Sequence, residues 1–213
     1  LSILSRAAFL LKWTFWIGQQ REANAYVAVR ITDRKISNQV NVIQRKLMDA
    51  DIHFLPYLEF PSKLHLTIDV YNINETNIDR AHTAMSSLRQ KLCKFLPSHF
   101  QFAGVDRFDE DVFYGNLTET SRFAMDDIHS QVKSTFELNG IKSMNQYAYH
   151  PYMTIVEVAN FEKKLQKIIS TTELSDYFLD GSSYVESLFL CRMHLEVNES
   201  FCTAIHRVRI EGC

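Results

Sequence analysis

Leu64-His65-Leu66-Thr67-Ile68 and Pro151-Tyr152-Met153-Thr154-Ile155 read as two copies of one strand motif, and they decide how the rest of the chain is read. Residues two apart on a β-strand share a face. His65 and Thr67 therefore project together, as do Tyr152 and Thr154, with His150 one step earlier on the second face. Leu64, Leu66, Ile68 and Val70 form the opposite, core-facing row of the first copy. An imidazole beside a hydroxyl is a minimal phosphate-handling pair: the ring moves a proton and the hydroxyl hydrogen-bonds a phosphoryl oxygen. Two such pairs facing each other would clasp a phosphodiester. The first pair is complete, whereas the second has Tyr152 where the first has His65.

Around these strands the chain repeats itself. Ala25–Ile31, rich in Val and Tyr, predicts a strand, and Ile36, Val40, Ile43 and Leu47 recur at helical spacing before the His65 strand. An offset of 87 residues separates His65 from Tyr152, and the same offset carries strand 25–31 onto 112–118. It also carries helix 36–48 onto 123–135, where Met125, Ile128, Val132 and Phe136 mark a second helix closed by Asn139-Gly140. Approximate repeats thus span 25–72 and 112–158. Between them lie a long helix from Ile78 to Phe95, stopped by Pro97, and a strand near Phe100–Val105. Tyr152–Val158 closes the second repeat, followed by a short helix (Phe161–Ile169) and an antiparallel pair, Tyr184–Met193 with Cys202–Ile210.

Composition fits one folded unit over 24–212, preceded by an apolar helical segment at 1–23. Of 213 residues, 46% are hydrophobic and 23% charged, enough for a sizeable core. The net charge of −2 gives no electrostatic footprint for duplex DNA, so a nucleotide ligand must be held by a local site. Arg6 and Lys12 interrupt the Leu-, Phe- and Trp-rich N-terminal stretch, leaving it too short for a membrane span and better suited to packing than to a membrane surface. The chain does not begin with Met, which suggests a piece of a longer protein. Cys93, Cys191, Cys202 and Cys213 show neither a CxxC pair nor zinc-ligand spacing, and Cys191 in Leu188-Phe189-Leu190-Cys191 reads as a small core residue. That pattern predicts a reducing, intracellular setting, cytoplasmic or nuclear. Three sequons, at Asn74, Asn116 and Asn198, point the other way without a signal peptide to support them.

On these residues the chain resembles the 2H phosphoesterase superfamily, named for two His-x-Thr/Ser motifs on strands of duplicated lobes. It is most similar to the branch holding the A-kinase anchoring protein central domain and the leukocyte receptor cluster proteins, relatives of the 2′-5′ RNA ligase-like proteins. The opening strand Asn24-Ala25-Tyr26-Val27-Ala28-Val29, the late Leu190-Cys191-Arg192-Met193 and the final Val208-Arg209-Ile210-Glu211-Gly212 share in the resemblance, which spans about 24–212. It implies an α+β fold of two lobes, with antiparallel sheets around a central cleft and helices outside. It further implies a cofactor-free, metal-independent monomer that binds a nucleotide or short RNA and hydrolyses a 2′,3′-cyclic phosphate or 2′-5′ phosphodiester. His65 and Thr67 inherit the catalytic and phosphate-holding roles, and Thr154 the second phosphate contact. The alternative is a degenerate nucleotide-binding or protein-interaction module.

The family's second motif commonly reads Pro-His-Leu-Thr, so the second imidazole is missing from its place. Three readings stand. His150 substitutes for it, although two strand residues displace it by about 6–7 Å. Tyr152 itself donates the proton, although a phenol with a pKa near ~10 is poorly matched to neutral pH. Or catalysis is lost and Tyr152 offers a flat face to a nucleobase. Arg30, on a strand face with Tyr26 and Ala28, is a further candidate for neutralising phosphate, with Tyr26 beside it. The remaining histidines share no spacing, and the acidic run Asp106–Asp111 reads as a solvated hairpin turn that holds no metal.

Overall fold

The computed structural model describes residues 23–92, 99–193 and 201–210. The N-terminal segment, the end of the helix before Pro97, and Cys93, Cys213 and Asn198 lie outside the described residues. Strand alternation and helical periodicity sort the chain into eight described strands and four described α-helices. The strands are β1 (Ala25–Arg30), β2 (His65–Tyr71), β3 (His99–Phe108), β4 (Val112–Leu117), β5 (Met153–Glu157), β6 (Asp180–Tyr184), β7 (Ser187–Arg192) and β8 (Thr203–Arg209). The helices are α1 (Arg34–Ala50), α2 (Ile78–Leu92), α3 (Glu119–Leu138) and α4 (Lys163–Thr171). Asp33 caps α1 by accepting the Ile36 N–H at 2.9 Å, and Thr118 caps α3.

The strands form two antiparallel sheets with one plan. Sheet 1 runs β2-β1-β7-β8 and sheet 2 runs β5-β4-β3-β6, so each motif strand is an edge strand paired to its opening strand. Even the irregularities match. A register shift at Val27/Ala28 leaves Thr67 opposite Ala28, and one at Phe113/Tyr114 leaves Thr154 opposite Tyr114. Bulges of this kind bend a strand and re-aim its side chains.

The two β–α–β units are interlocked rather than side by side. Helix α1 follows a strand of sheet 1 yet packs on β5 and β6 of sheet 2, while α3 follows a strand of sheet 2 and packs on β2. The Gln44 amide on α1 is buried and donates to the Ile155 carbonyl of β5 at 3.1 Å. The Tyr71 ring of β2 stacks on Phe136 of α3, with centroids 4.1 Å apart. One apolar core, from Ala25 and Ile36 through Phe100 to Ile155 and Val208, runs through both lobes. Independent opening of either lobe would expose that shared interior.

Two expectations are corrected. Cys191 and Cys202 are not separate thiols but form a disulfide, because the antiparallel β7–β8 pairing brings their Cα atoms to 5.9 Å. The strand expected to run Tyr184–Met193 is broken at Val185-Glu186: Tyr184 ends β6 in sheet 2, and β7 starts at Ser187 in sheet 1. The Gly181-Ser182-Ser183 stretch has little β propensity of its own, and pairing with β3 imposes strand geometry on it.

Candidate active site

His65 opens β2 on the face away from the main core, opposite Arg30 of β1. Its Nδ1 lies 2.8 Å from the Lys63 carbonyl. A carbonyl only accepts, so Nδ1 carries the hydrogen and the neutral ring keeps its Nε2 lone pair. Burial holds the imidazole's pKa below its ordinary value, outweighing the opposing pull of that carbonyl. The ring is therefore neutral near pH 7, with its basic nitrogen unspent. Tyr26 stands 5.4 Å away, centroid to centroid, and burial, reinforced by Glu59, raises its phenol's pKa above the ordinary value. The Arg30 guanidinium donates weakly to the Ser62 carbonyl at 3.4 Å, and its Nε is buried without a partner.

Phe201, which belongs to no sequence motif, closes this half-site. Its ring lies 5.6 Å from His65, edge-on, and 5.2 Å from Phe189, while the Arg30 guanidinium sits 5.6 Å from its centroid. With Ala28 and Cys191 it makes a small apolar cluster separate from the main core. The small Ala28 side chain beside Thr67 leaves room for that ring.

The other half is built differently. Phe108, Tyr114, His150 and Tyr152 pack as an aromatic cluster, with Phe108 stacked on Tyr114 at 4.3 Å and standing edge-on to Tyr152 at 4.8 Å and His150 at 5.2 Å. Tyr114, which faces Thr154 across the sheet, is 6.0 Å from His150 and 5.3 Å from Tyr152. His150 and Tyr152 thus meet the same rings, although both precede the first hydrogen-bonded residue of β5. Burial, reinforced by Glu157 and Tyr114, raises the Tyr152 phenol's pKa above its ordinary value. Burial, aided by the positive Arg122, lowers that of His150, whose Nε2 is enclosed without a partner. Burial and Asp106 push Tyr114 up to about 12.

β2 and β5 lie against each other, each flanked by the segment that leads into its counterpart. Glu59, upstream of β2, donates its N–H to the Ile155 carbonyl at 3.0 Å, and Met144, upstream of β5, donates to Val70 at 2.9 Å. Tyr149 ties the halves at the motif itself, its hydroxyl donating to the Thr67 carbonyl at 3.2 Å. Beneath it, His129 stacks on Tyr149 at 4.2 Å, and buried Asp69 accepts from the Tyr71 and Ser143 hydroxyls at 2.9 and 2.7 Å. Among the described residues, no cluster of three or more His, Cys, Asp or Glu converges as a metal site. A surface hollow of about 500 Å³ lies on α1, lined by residues that include Val42, Lys46, Tyr177 and Phe178 and none of the motif residues.

Residues 23–210 match the model of the AKAP7 2′5′ RNA ligase-like domain. The chain belongs to that family. Its fold is shared with Escherichia coli LigT crystallised with 3′-AMP, at TM-score 0.58 and 14% identity over 89% of this chain and 98% of that one. The MHV ns2 PDE domain aligns at TM-score 0.55 and 11% identity, covering 80% and 99% of the two chains. A curated relative, the uncharacterised Caenorhabditis elegans protein C35A5.6, is 23% identical over 171 residues, 78% of this chain and 71% of its own length. Within the AKAP7 2′5′ RNA ligase-like family, this chain has the α+β 2H phosphoesterase fold. Among the described residues, no helix is long and apolar enough to cross a membrane.

Proposed function

We propose that the face where β2 meets β5 binds the phosphate of a nucleotide or of an RNA end bearing a 2′,3′-cyclic or 2′-5′ linkage, and that His65 acts there as a lone general base. The observation that carries this reading is the neutral His65 ring, its Nδ1 held by the Lys63 carbonyl and its Nε2 left as acceptor. The LigT structures with 3′-AMP and with phosphate supply a precedent for the ligand class on this fold.

In this reading Thr67 and Thr154 hydrogen-bond non-bridging phosphoryl oxygens, and Arg30 offsets their charge. Water attacks phosphorus while His65 Nε2 takes its proton. The bond to the departing ribose oxygen breaks, and that oxygen needs a proton from the other side. The second half-site offers the Tyr152 phenol, whose raised pKa makes it a weak donor. Binding is therefore retained, and turnover of an unactivated diester is slow. The Tyr152 ring could instead stack against a nucleobase, which is the second reading, a binding module.

The test is a metal-free assay in EDTA with 2′,3′-cyclic AMP, 2′-5′ oligoadenylate and a p-nitrophenyl nucleotide diester, whose leaving group departs without protonation. The account expects the activated diester to be cleaved and His65→Ala to lower that rate about 10²–10⁴-fold. Equal rates for wild type and His65→Ala would remove His65 from the reaction. Inert behaviour toward all three substrates, with 3′-AMP still bound, would favour the binding module.

A further inference from the structure

The disulfide lies one residue from the ring that walls the His65 half-site. Cys191 is fully buried on β7, opposite Tyr26 of β1, and faces the same small apolar cluster as Ala28. Cys202 is half-exposed, whereas its partner is not. Phe201, its immediate neighbour, is only 8% exposed and touches His65, Phe189 and Arg30 but belongs to no hydrogen-bonded strand. It is held by these contacts, by packing on Ala28 and Cys191, and by the covalent tie next door. A crosslink across an 11-residue separation removes chain freedom that isolated aromatic contacts must otherwise overcome.

We propose that the Cys191–Cys202 disulfide is a thiol-responsive control on this site, holding Phe201 against His65 when oxidised and releasing it when reduced. The proposal rests on the phosphate-binding reading for its consequence, but not for its mechanics. Two thiols of a reductant such as glutathione or dithiothreitol supply two electrons and two protons. The S–S bond breaks, Cys191 and Cys202 become thiols, and the reductant leaves as its own disulfide. Phe201 then loses its anchor, water reaches His65, and Arg30 loses the ring beneath it. Phe201 is a positioning residue in this scheme, acting through His65 and Arg30 rather than on the ligand's reacting atoms.

The experiment compares the chain prepared without reductant, the same protein in dithiothreitol, and the Cys202→Ser and Phe201→Ala variants. Alkylation and mass spectrometry assign the crosslink, circular dichroism checks the fold, and NMR follows the His65 ring through a pH titration. Calorimetry with 3′-AMP follows binding. The expected result is that dithiothreitol moves the His65 pKa upward, toward an ordinary histidine, and weakens 3′-AMP binding about threefold to tenfold, the size of a lost aromatic contact. Cys202→Ser and Phe201→Ala should show those altered values with or without dithiothreitol. An unchanged His65 titration on reduction overturns the proposal, as does alkylation of both cysteines in the unreduced protein. If His65 responds while 3′-AMP binds in neither state, the control stands and the ligand reading fails.

Discussion

Replacing Tyr152 with histidine restores Pro-His-Met-Thr at the entry to β5 and asks directly whether the second half-site lacks only an imidazole. Tyr152 contributes ring contacts to Phe108 at 4.8 Å and Tyr114 at 5.3 Å. At about 0.5–1.5 kcal/mol for each aromatic pair, losing both costs about 1–3 kcal/mol. For a chain of this size that lowers Tm by about 2–12 °C, which leaves the fold intact under assay conditions. The new ring enters the cluster whose burial already lowers the His150 pKa, so its own pKa should fall below the ordinary histidine value. Hydrolysis of 2′,3′-cyclic AMP in EDTA should rise about 10²–10⁴-fold, with a bell-shaped pH profile centred on the acid side of neutrality. The activated p-nitrophenyl diester, which needs no acid, should gain little. A folded Tyr152→His protein that binds 3′-AMP yet cleaves the cyclic phosphate no faster than wild type would refute the reasoning. Loss of wild-type activity in His150→Ala would instead assign the acid role to His150.

Other outcomes follow from the same geometry. His65 has a folded pKa below its unfolded value, so at mildly acidic pH the unfolded chain binds more protons there; its contribution is complete above about pH 6.5 and is lost as pH falls through its folded pKa. Tm should therefore fall between pH 7 and 5, and His65→Asn should flatten that slope; an identical slope in the variant would contradict the buried neutral ring. Tyr149→Phe removes one hydrogen bond to the Thr67 carbonyl and should cost about 0.5–1.5 kcal/mol in denaturant unfolding, with weaker 3′-AMP binding; unchanged values in both would deny it a positioning role. Gly115→Ala places a Cβ 2.5 Å from Leu179 Cδ2 and 3.0 Å from Met153 Cε, beside Thr154. Overpacking there should cost about 1–3 kcal/mol, and a neutral effect on Tm would show that Leu179 yields freely.

The α+β class was legible because the motif strands alternate cleanly and the helices between them keep their spacing. Ile36, Val40, Ile43 and Leu47 are all buried on α1, as are Met125, Ile128, Val132 and Phe136 on α3. Helix crossing between lobes was not legible, since the apolar stripe of α1 shows that it packs but not on which sheet. Sheet pairing also hid the disulfide, because Cys191 and Cys202 become neighbours only through the β7–β8 register. In the site, strand parity placed His65 and Thr67 on one half-buried face, and Tyr152 with His150 against the same rings. Phe201 carried no motif, and Phe108 and Tyr114 sit in a stretch read only as hairpin and strand. The meeting of Phe108 and Tyr114 with His150 and Tyr152 is a tertiary fact that no local pattern encodes.

The central claim, a phosphate held between β2 and β5, is tested most directly by titrating the EDTA-treated protein with 3′-AMP while following assigned NMR resonances. The account predicts saturable shifts concentrated at His65, Thr67, Thr154 and Tyr152, abolished or strongly weakened by Thr67→Ala with Thr154→Ala. Absence of saturable binding, or shifts centred instead on the α1 hollow around Val42, Tyr177 and Phe178, would contradict it.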